Sequence, residues 1–280
     1  MFSIVICSRK KDIPSELRRN IDDTIGCEYE LVIIDNSTNK YSIFQAYNEG
    51  VRRAKGTVLC FMHEDVLFRS SQWGLSVLSV FASDEQIGLM GFAGAHFLPD
   101  TPLYWYGSPF VSQRNLNNDH GVIEEHFHED WFGGRSLVEV VAVDGFCFFM
   151  RKDLFEHVSF DEKTFKGFHL YDMDICMQVI DAGYKVCVFR DVLTEHCWSE
   201  NKQFTKQGGG LFSLNLKLFS EKWQDSLPID KGLDLPSEMF TRVNALIRQL
   251  YNAEQIRHSK AYRLGKFIMA PINWIKNKIQ

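Results

Sequence analysis

A chain of 280 residues with 45% hydrophobic composition can build one large domain, or one domain with an appendage, and is too apolar to be intrinsically disordered. Its formal charge of -5 excludes a protein that coats nucleic acid through a general excess of positive charge. Seven cysteines, odd in number and without a CxxC pair, lie mostly in apolar stretches, which predicts reduced thiols in a cytoplasmic protein.

In chain order, Phe2 to Cys7 reads as a strand with no basic leader ahead of it, Pro14 to Ile25 as a helix opened by proline, and Glu30 to Ile34 as a second strand. Asp35-Asn36-Ser37 makes a polar turn. Ile43, Ala46, Tyr47 and Val51 have the spacing of a helix that lays one face on a sheet, and Gly56 ends it. Thr57 to Met62 is a continuously apolar third strand that stops at His63-Glu64-Asp65. Imidazole and carboxylates at the mouth of a sheet suit a divalent cation and, through it, a phosphorylated ligand.

Gln72 to Ala82 reads as a helix and Ile87 to Gly94 as a strand, and then the pattern dissolves between His96 and Ser136, predicting a long functional loop. Leu137 to Val143 and Phe146 to Met150 are strand-like runs on either side of Asp144-Gly145. Tyr171 to Ala182 is helical, Gly183 ends it, and Lys185 to Phe189 is the last clear strand. Alternation of strands and helices predicts an α/β fold with a mostly parallel central sheet flanked by helices.

From Pro228 the character changes, which divides the chain into a domain over 1–227 and a helical, basic extension over 228–280. Met239, Val243, Leu246, Ile247 and Leu250 mark an amphipathic helix, and no acid follows Glu254. No apolar run reaches the roughly 18 residues of a membrane span. The basic, aromatic segment 257–280 instead suggests peripheral contact with an anionic membrane, at its inner face, or packing on the domain.

The fragments Ser3-Ile4-Val5-Ile6-Cys7-Ser8, Val32-Ile33-Ile34-Asp35-Asn36-Ser37, Tyr47-Asn48-Glu49-Gly50, Ala54-Lys55-Gly56 and Phe61-Met62-His63-Glu64-Asp65 come in a telling order. They are followed by Val143-Asp144-Gly145-Phe146, Tyr171-Asp172-Met173-Asp174 and Ala182-Gly183-Tyr184. Together, over residues 2 to 225, they resemble the inverting family 2 glycosyltransferases of GT-A (nucleotide-diphospho-sugar transferase) fold. The resemblance implies a hexosyltransferase-like enzyme of polysaccharide biosynthesis that moves a sugar from a nucleotide-sugar to a saccharide or lipid-linked saccharide. It also implies a divalent cation, Mn²⁺ or Mg²⁺.

Carried over residue by residue, the resemblance assigns the nucleotide-sugar to Ser8, Asp35, Ser37, Asn48, Glu64 and Asp65. Asp65 matches the second aspartate of the family's Asp-x-Asp metal motif, His63 stands in place of the first, and His196 is at a position that often adds a third metal or phosphate contact. Asp172 is at the place of the catalytic base, with Asp174 in reserve, and Tyr171 stands where a glutamate is usual. Asp144 and Gly145 resemble the acceptor-side segment, where glycine lets backbone approach the sugar. Trp105 and Trp131 are candidates to stack on acceptor rings. Glu124 to Asp130, with His126 and His128, is assigned to an acceptor loop rather than to a metal site of its own.

Two other readings fit a sheet of this kind. A sugar nucleotidyltransferase would want a glycine-rich phosphate loop after the first strand, which Ser8-Arg9-Lys10-Lys11 does not supply. A non-catalytic nucleotide- or saccharide-binding protein is consistent with the His63 and Tyr171 departures. The oligomeric state is left open.

Overall fold

A computed structural model describes residues 1–119, 121–127, 132–198 and 202–258, with backbone alone at 198, 202–209 and 256–258. In chain order the elements are β1 (Phe2–Ser8), α1 (Ser15–Thr24), β2 (Tyr29–Asp35), α2 (Ile43–Arg53), β3 (Val58–Met62), β4 (Val66–Phe68) and α3 (Trp73–Ser83). There follow β5 (Ile87–Gly91), β6 (Ala93–Ala95), β7 (Phe97–Leu98), β8 (Val111–Asp119), β9 (Val122–Phe127), β10 (Leu137–Val140), β11 (Ala142–Val143) and β12 (Cys147–Arg151). The chain continues through α4 (Tyr171–Asp181), β13 (Lys185–Phe189), β14 (Thr194–Trp198), α5 (Lys202–Lys222), β15 (Ile229–Asp230) and α6 (Ser237–His258).

Seven strands form the central sheet in the order β10-β13-β5-β12-β3-β1-β2. β1 pairs in parallel with β2 and β3, as the early strand-helix alternation requires, and β13 pairs in parallel with β5. β12 enters antiparallel between β3 and β5, and β10 is antiparallel to β13, so the sheet is mixed. The continuous apolar run of β3 is explained by this place: all five of its residues are buried between covered faces.

Helix α2 shows how the sequence seats a helix on that sheet. Ser42 accepts from Gln45 N–H and the Gln45 side chain accepts from Ser42 N–H, a reciprocal capping box. Ile43, Phe44, Ala46, Tyr47 and Gly50 then form one buried face. Gly50 lies so close to β1 that an added Cβ would come within 2.2 Å of Val5 Cγ1.

A second sheet runs β11-β6-β8-β14-β4, with β9 on β8. Much of it occupies the stretch expected to be loop, and it corrects that expectation. The residues of β8 lack hydrophobic alternation because their amides satisfy one another: Gln113 Nε2 donates to Asn115 Oδ1 at 2.7 Å and Asn115 Nδ2 to Asn117 Oδ1 at 2.8 Å. Asn117 Nδ2 continues the row to His126 Nε2 at 3.3 Å. β14 escapes a hydrophobic reading for a similar reason, since Glu195 is buried there and held by Arg69 and Asn118. Helix α5 was hidden by Gly208-Gly209-Gly210, whose helix propensity is poor.

The described residues form two compact units, one drawn from 1–98 and 102–234 and the other from 99–101 and 235–258. β15 pairs antiparallel with β7 and so keeps residues 229 and 230 in the first. In the second, Asn244 Nδ2 donates to Asp100 Oδ2 at 3.0 Å, and Arg248 pairs with the same carboxylate. Met239, Leu246 and Leu250 of α6 are exposed. Among the described residues no helix is long and apolar enough to cross a membrane. The tail beyond 258 lies outside the described residues.

Because Gly50 has no room for a methyl group, Gly50→Ala is expected to destabilise the fold by about 1–3 kcal/mol, the usual cost of overpacking. Urea denaturation followed by circular dichroism measures it.

Candidate active site

The strands β1, β2 and β3 all end on one side of the central sheet, and a cavity of about 250 Å³ opens there. Its walls include Cys7, Asn36, Tyr41, Tyr47, Glu64 and Phe168. Asn36 shapes the rim by exchanging two hydrogen bonds of 2.9 Å with the backbone of Tyr41. The cavity reaches the strand-end residues His63, Glu64 and Asp65.

His63, Asp65 and His196 converge, each offering one donor atom, with all three atoms within 4.8 Å of one another. β3 delivers His63, the turn into β4 delivers Asp65, and β14 delivers His196 alongside β4. His196 is held by stacking on Phe146, with ring centroids 5.0 Å apart. Asp65 Oδ1 lies 3.4 Å from His196 Nε2 and 4.0 Å from His63 Nδ1. That oxygen is buried and has no well-directed hydrogen bond.

The protonation of His63 follows from its neighbours. Tyr171 O–H donates to the Gly145 carbonyl at 3.0 Å, and a carbonyl can only accept. The phenol oxygen must therefore accept from His63 Nε2, 2.8 Å away, which leaves the lone pair of Nδ1 facing Asp65. Burial, together with the neighbouring His196, pushes His63 down to about 4, so the ring is neutral. Burial acts to raise the Asp65 carboxyl, but His196 and His63 outweigh it and hold it below its ordinary value. His196 goes the other way, raised because Asp65 outweighs burial. Two imidazoles and a buried carboxylate oxygen make a set that fits a cation tolerant of nitrogen ligands, Mn²⁺ better than Mg²⁺.

Behind this cluster lie the acids of α4. The helix begins after Leu170, held in the left-handed region at φ 73°, a conformation that costs energy and turns the first turn toward the site. Asp172 is 2% exposed. Its Oδ2 accepts from Tyr104 O–H at 2.7 Å and from Gly145 N–H at 3.1 Å, and its Oδ1 from Met173 N–H at 2.9 Å. Burial, then the charge of Asp144, pushes its carboxyl up to about 7. Burial raises Asp144 as well. A carboxylate that changes protonation near neutrality is suited to general base work.

Asp174, two residues on, is committed elsewhere. It is 1% exposed and is held by Lys222 at 2.8 Å, Trp223 Nε1 at 2.9 Å and Gln178 Nε2 at 2.8 Å. Burial opposes the charge on Lys222, but Asp174 and Asp161 hold its ammonium above its ordinary value.

The other expected positions are each placed by their own contacts. Ser8 is fully buried, and its hydroxyl donates to Glu64 Oε2 at 2.5 Å, so it positions Glu64 rather than facing the cavity. Asn48 lies away from the site, bonding both ways with the Phe160 backbone. Asp35 and Ser37 are exposed at the end of β2, where Ser37 N–H donates to Asp35 Oδ1 at 2.9 Å. Gly145 has its close approach, but to protein: an added Cβ would lie 2.3 Å from the Tyr171 hydroxyl. Trp105 is 2% exposed and offers no open face for stacking. Trp131, like His128, lies outside the described residues. Tyr104 and Tyr171 are the site residues that the sequence did not disclose as such. Their only signals were an aromatic run, Tyr104-Trp105-Tyr106, and a departure from the expected glutamate.

A family model described as "Glycosyltransferase like family" matches residues 3–208. The chain belongs to this family. No curated protein matches it. Among solved structures it is similar to GalNAc-T7 with UDP, GalNAc and Mn²⁺, at 13% identity and a TM-score of 0.56, over 81% of this chain and 49% of that one. It is also similar to S. aureus TarS in complex with UDP-GlcNAc, at 13% identity and a TM-score of 0.50, over 87% of this chain and 70% of the other. These likenesses establish the GT-A fold, and the chain spans about half the length of GalNAc-T7.

The commitment of Asp174 predicts that Lys222→Met, which strands a buried carboxylate, destabilises the protein by about 3–5 kcal/mol. The midpoint of chemical denaturation reads this directly.

Proposed function

We propose that this glycosyltransferase moves a sugar from a nucleotide-sugar to a saccharide or lipid-linked saccharide, with inversion at the anomeric carbon, and that it uses a divalent cation. The observation that carries the reading is the buried Asp65 Oδ1, without a directed hydrogen bond and faced by two imidazole nitrogens at 3.4 and 4.0 Å. Two electron-rich atoms, His63 Nδ1 and Asp65 Oδ1, face each other there with no proton between them, an arrangement that a cation relieves. A Mn²⁺ ion bound by His63, Asp65 and His196 would neutralise the diphosphate as it leaves. The cavity beside it, rimmed by Asn36, Tyr41 and Glu64, accepts the nucleotide portion. The UDP complexes of GalNAc-T7 and TarS support a uridine diphosphate-sugar as the first donor to try.

Asp172 serves as the base. It takes the proton of the acceptor hydroxyl while that oxygen bonds to the anomeric carbon, and the carbon–oxygen bond to the diphosphate breaks with its electron pair. A carboxyl raised to about 7 must lose its proton to act, so activity rises with pH through that value. Asp144 lies close enough to Asp172 to raise it, and the family resemblance assigns it to the acceptor side.

The test is a panel of UDP- and GDP-sugars with Mn²⁺ and saccharide acceptors. Asp172→Asn is expected to lower transfer by about 10²–10⁴-fold. Asp65→Asn is expected to weaken Mn²⁺ binding in titration calorimetry. For the wild type, kcat/KM should fall roughly tenfold per pH unit well below 7. Near-normal transfer by Asp172→Asn would overturn the base, and donor binding without turnover on any acceptor would favour a non-catalytic binding protein.

We also propose that the enzyme is peripheral, at the cytoplasmic face of an anionic membrane. The basic residues Arg257, Lys260, Arg263 and Lys266 and the exposed Met239, Leu246 and Leu250 of α6 support this. Co-sedimentation with phosphatidylserine liposomes should be lost when residues 257–280 are removed; equal pelleting of both forms overturns it.

A further inference from the structure

Tyr104 was not among the residues that the sequence picked out, yet it makes the shortest hydrogen bond to the proposed base. Its O–H donates to Asp172 Oδ2 at 2.7 Å. Two backbone donors make its other hydrogen bonds, Gly145 N–H on the same oxygen and Met173 N–H on the other. Those two belong to rigid backbone beside the site. The phenol is the one side-chain donor on Asp172 among the described residues, and the one of the three that a rotation could withdraw.

Tyr104 is half-buried, whereas Asp172 behind it is 2% exposed. The ring packs against Trp105, with centroids 5.9 Å apart, and edge-on against Phe212 of α5, at 5.6 Å. Burial and the charges of Asp172 and Asp144 hold the phenol far above its ordinary value, so it keeps its proton and acts only as a donor. A neutral O–H donating to a carboxylate at this distance is the contact that an acceptor sugar hydroxyl has to make before it can be deprotonated.

We propose that Tyr104 is a displaceable stopper on Asp172, occupying the acceptor hydroxyl's place until a saccharide takes it and so keeping water from being activated against the bound nucleotide-sugar. The inference rests on the reading of Asp172 as general base. The unwanted reaction is fully balanced: a water proton goes to Asp172, the water oxygen bonds to the anomeric carbon, and the diphosphate leaves with the electron pair of the broken bond. Water and saccharide differ in what they return. Displacing Tyr104 forfeits its contacts with Trp105 and Phe212, which a water molecule cannot replace and a sugar ring can. Tyr104 is thus a positioning residue that sets selectivity between two nucleophiles.

The experiment uses the full chain as Tyr104→Phe, which keeps the ring and removes the hydroxyl, with the UDP- and GDP-sugar panel, Mn²⁺ and saccharide acceptors. Sugar release in the absence of acceptor should rise several-fold, and the acceptor KM should fall. Adding Asp172→Asn should return acceptor-free release to the level of Asp172→Asn alone, because the extra hydrolysis runs through that carboxylate. Melting temperatures of all variants separate these effects from loss of fold, and Tyr104→Leu provides a second way to remove the donor. If acceptor-free release and acceptor KM both stay at the wild-type values in the folded variants, Tyr104 is no stopper. A lower kcat at unchanged KM also overturns the proposal, since it would make Tyr104 part of the transfer step. A wild-type protein that neither transfers nor hydrolyses any donor overturns the functional reading and the stopper together, whereas normal transfer with an inert Tyr104→Phe sinks the stopper alone.

Discussion

One phenol holds the site together. Tyr171, at the first position of α4, accepts from His63 at the end of β3 and donates to Gly145 between β11 and β12. Three segments far apart in sequence are fixed by that single oxygen, and the tautomer of His63 is fixed with them. Gly145 belongs to the same arrangement, because any side chain there would meet the phenol. Its N–H in turn donates to Asp172, so the orientation of the His63 imidazole and that of the buried acid depend on the same few atoms.

This changes the meaning of two departures from the glycosyltransferase pattern. In sequence, His63 in place of aspartate and Tyr171 in place of glutamate stand 108 positions apart and look like separate losses. In space they are hydrogen-bonded partners. An imidazole that is to present a lone pair to a cation needs an acceptor on its other nitrogen, and the phenol supplies one without adding a negative charge. The pair is a consistent alternative to two acids, and it faces the Asp65 oxygen.

Electrostatics divide the site in two. Beside His63 and His196, imidazoles lower the Asp65 carboxyl and keep it charged. At the start of α4, burial and then the charge of Asp144 raise Asp172, and burial raises Asp144. The Asp65 and Asp172 carboxyls are thereby driven toward opposite protonation behaviour, as the proposed metal ligand and base require. Asp174 is withdrawn from both by Lys222 and Trp223, which is why its place in the first turn of α4 is structural.

The sequence by itself determined the strands β1 to β3, the α2 face and the acids at the strand ends, because apolar runs, helical spacing and a cap are local properties. Asp65 and Asp172 were legible as candidates because their neighbours carry a recognisable order of motifs. The parts that reading missed have a common cause. β8 and β14 are built from polar residues whose partners lie on other strands, so no hydrophobic period marks them. α5 carries three glycines, whose poor helix propensity hides it. Ser8 reads as a ligand-binding residue until Glu64, 56 positions away, accepts its hydrogen bond. Tyr104 gains its meaning only when the chain brings it to Asp172, 68 residues later. Hydrogen bonds between distant segments carry no periodic trace in one dimension, and it is these bonds that decide which of the legible side chains face the cavity and which are held by the protein itself.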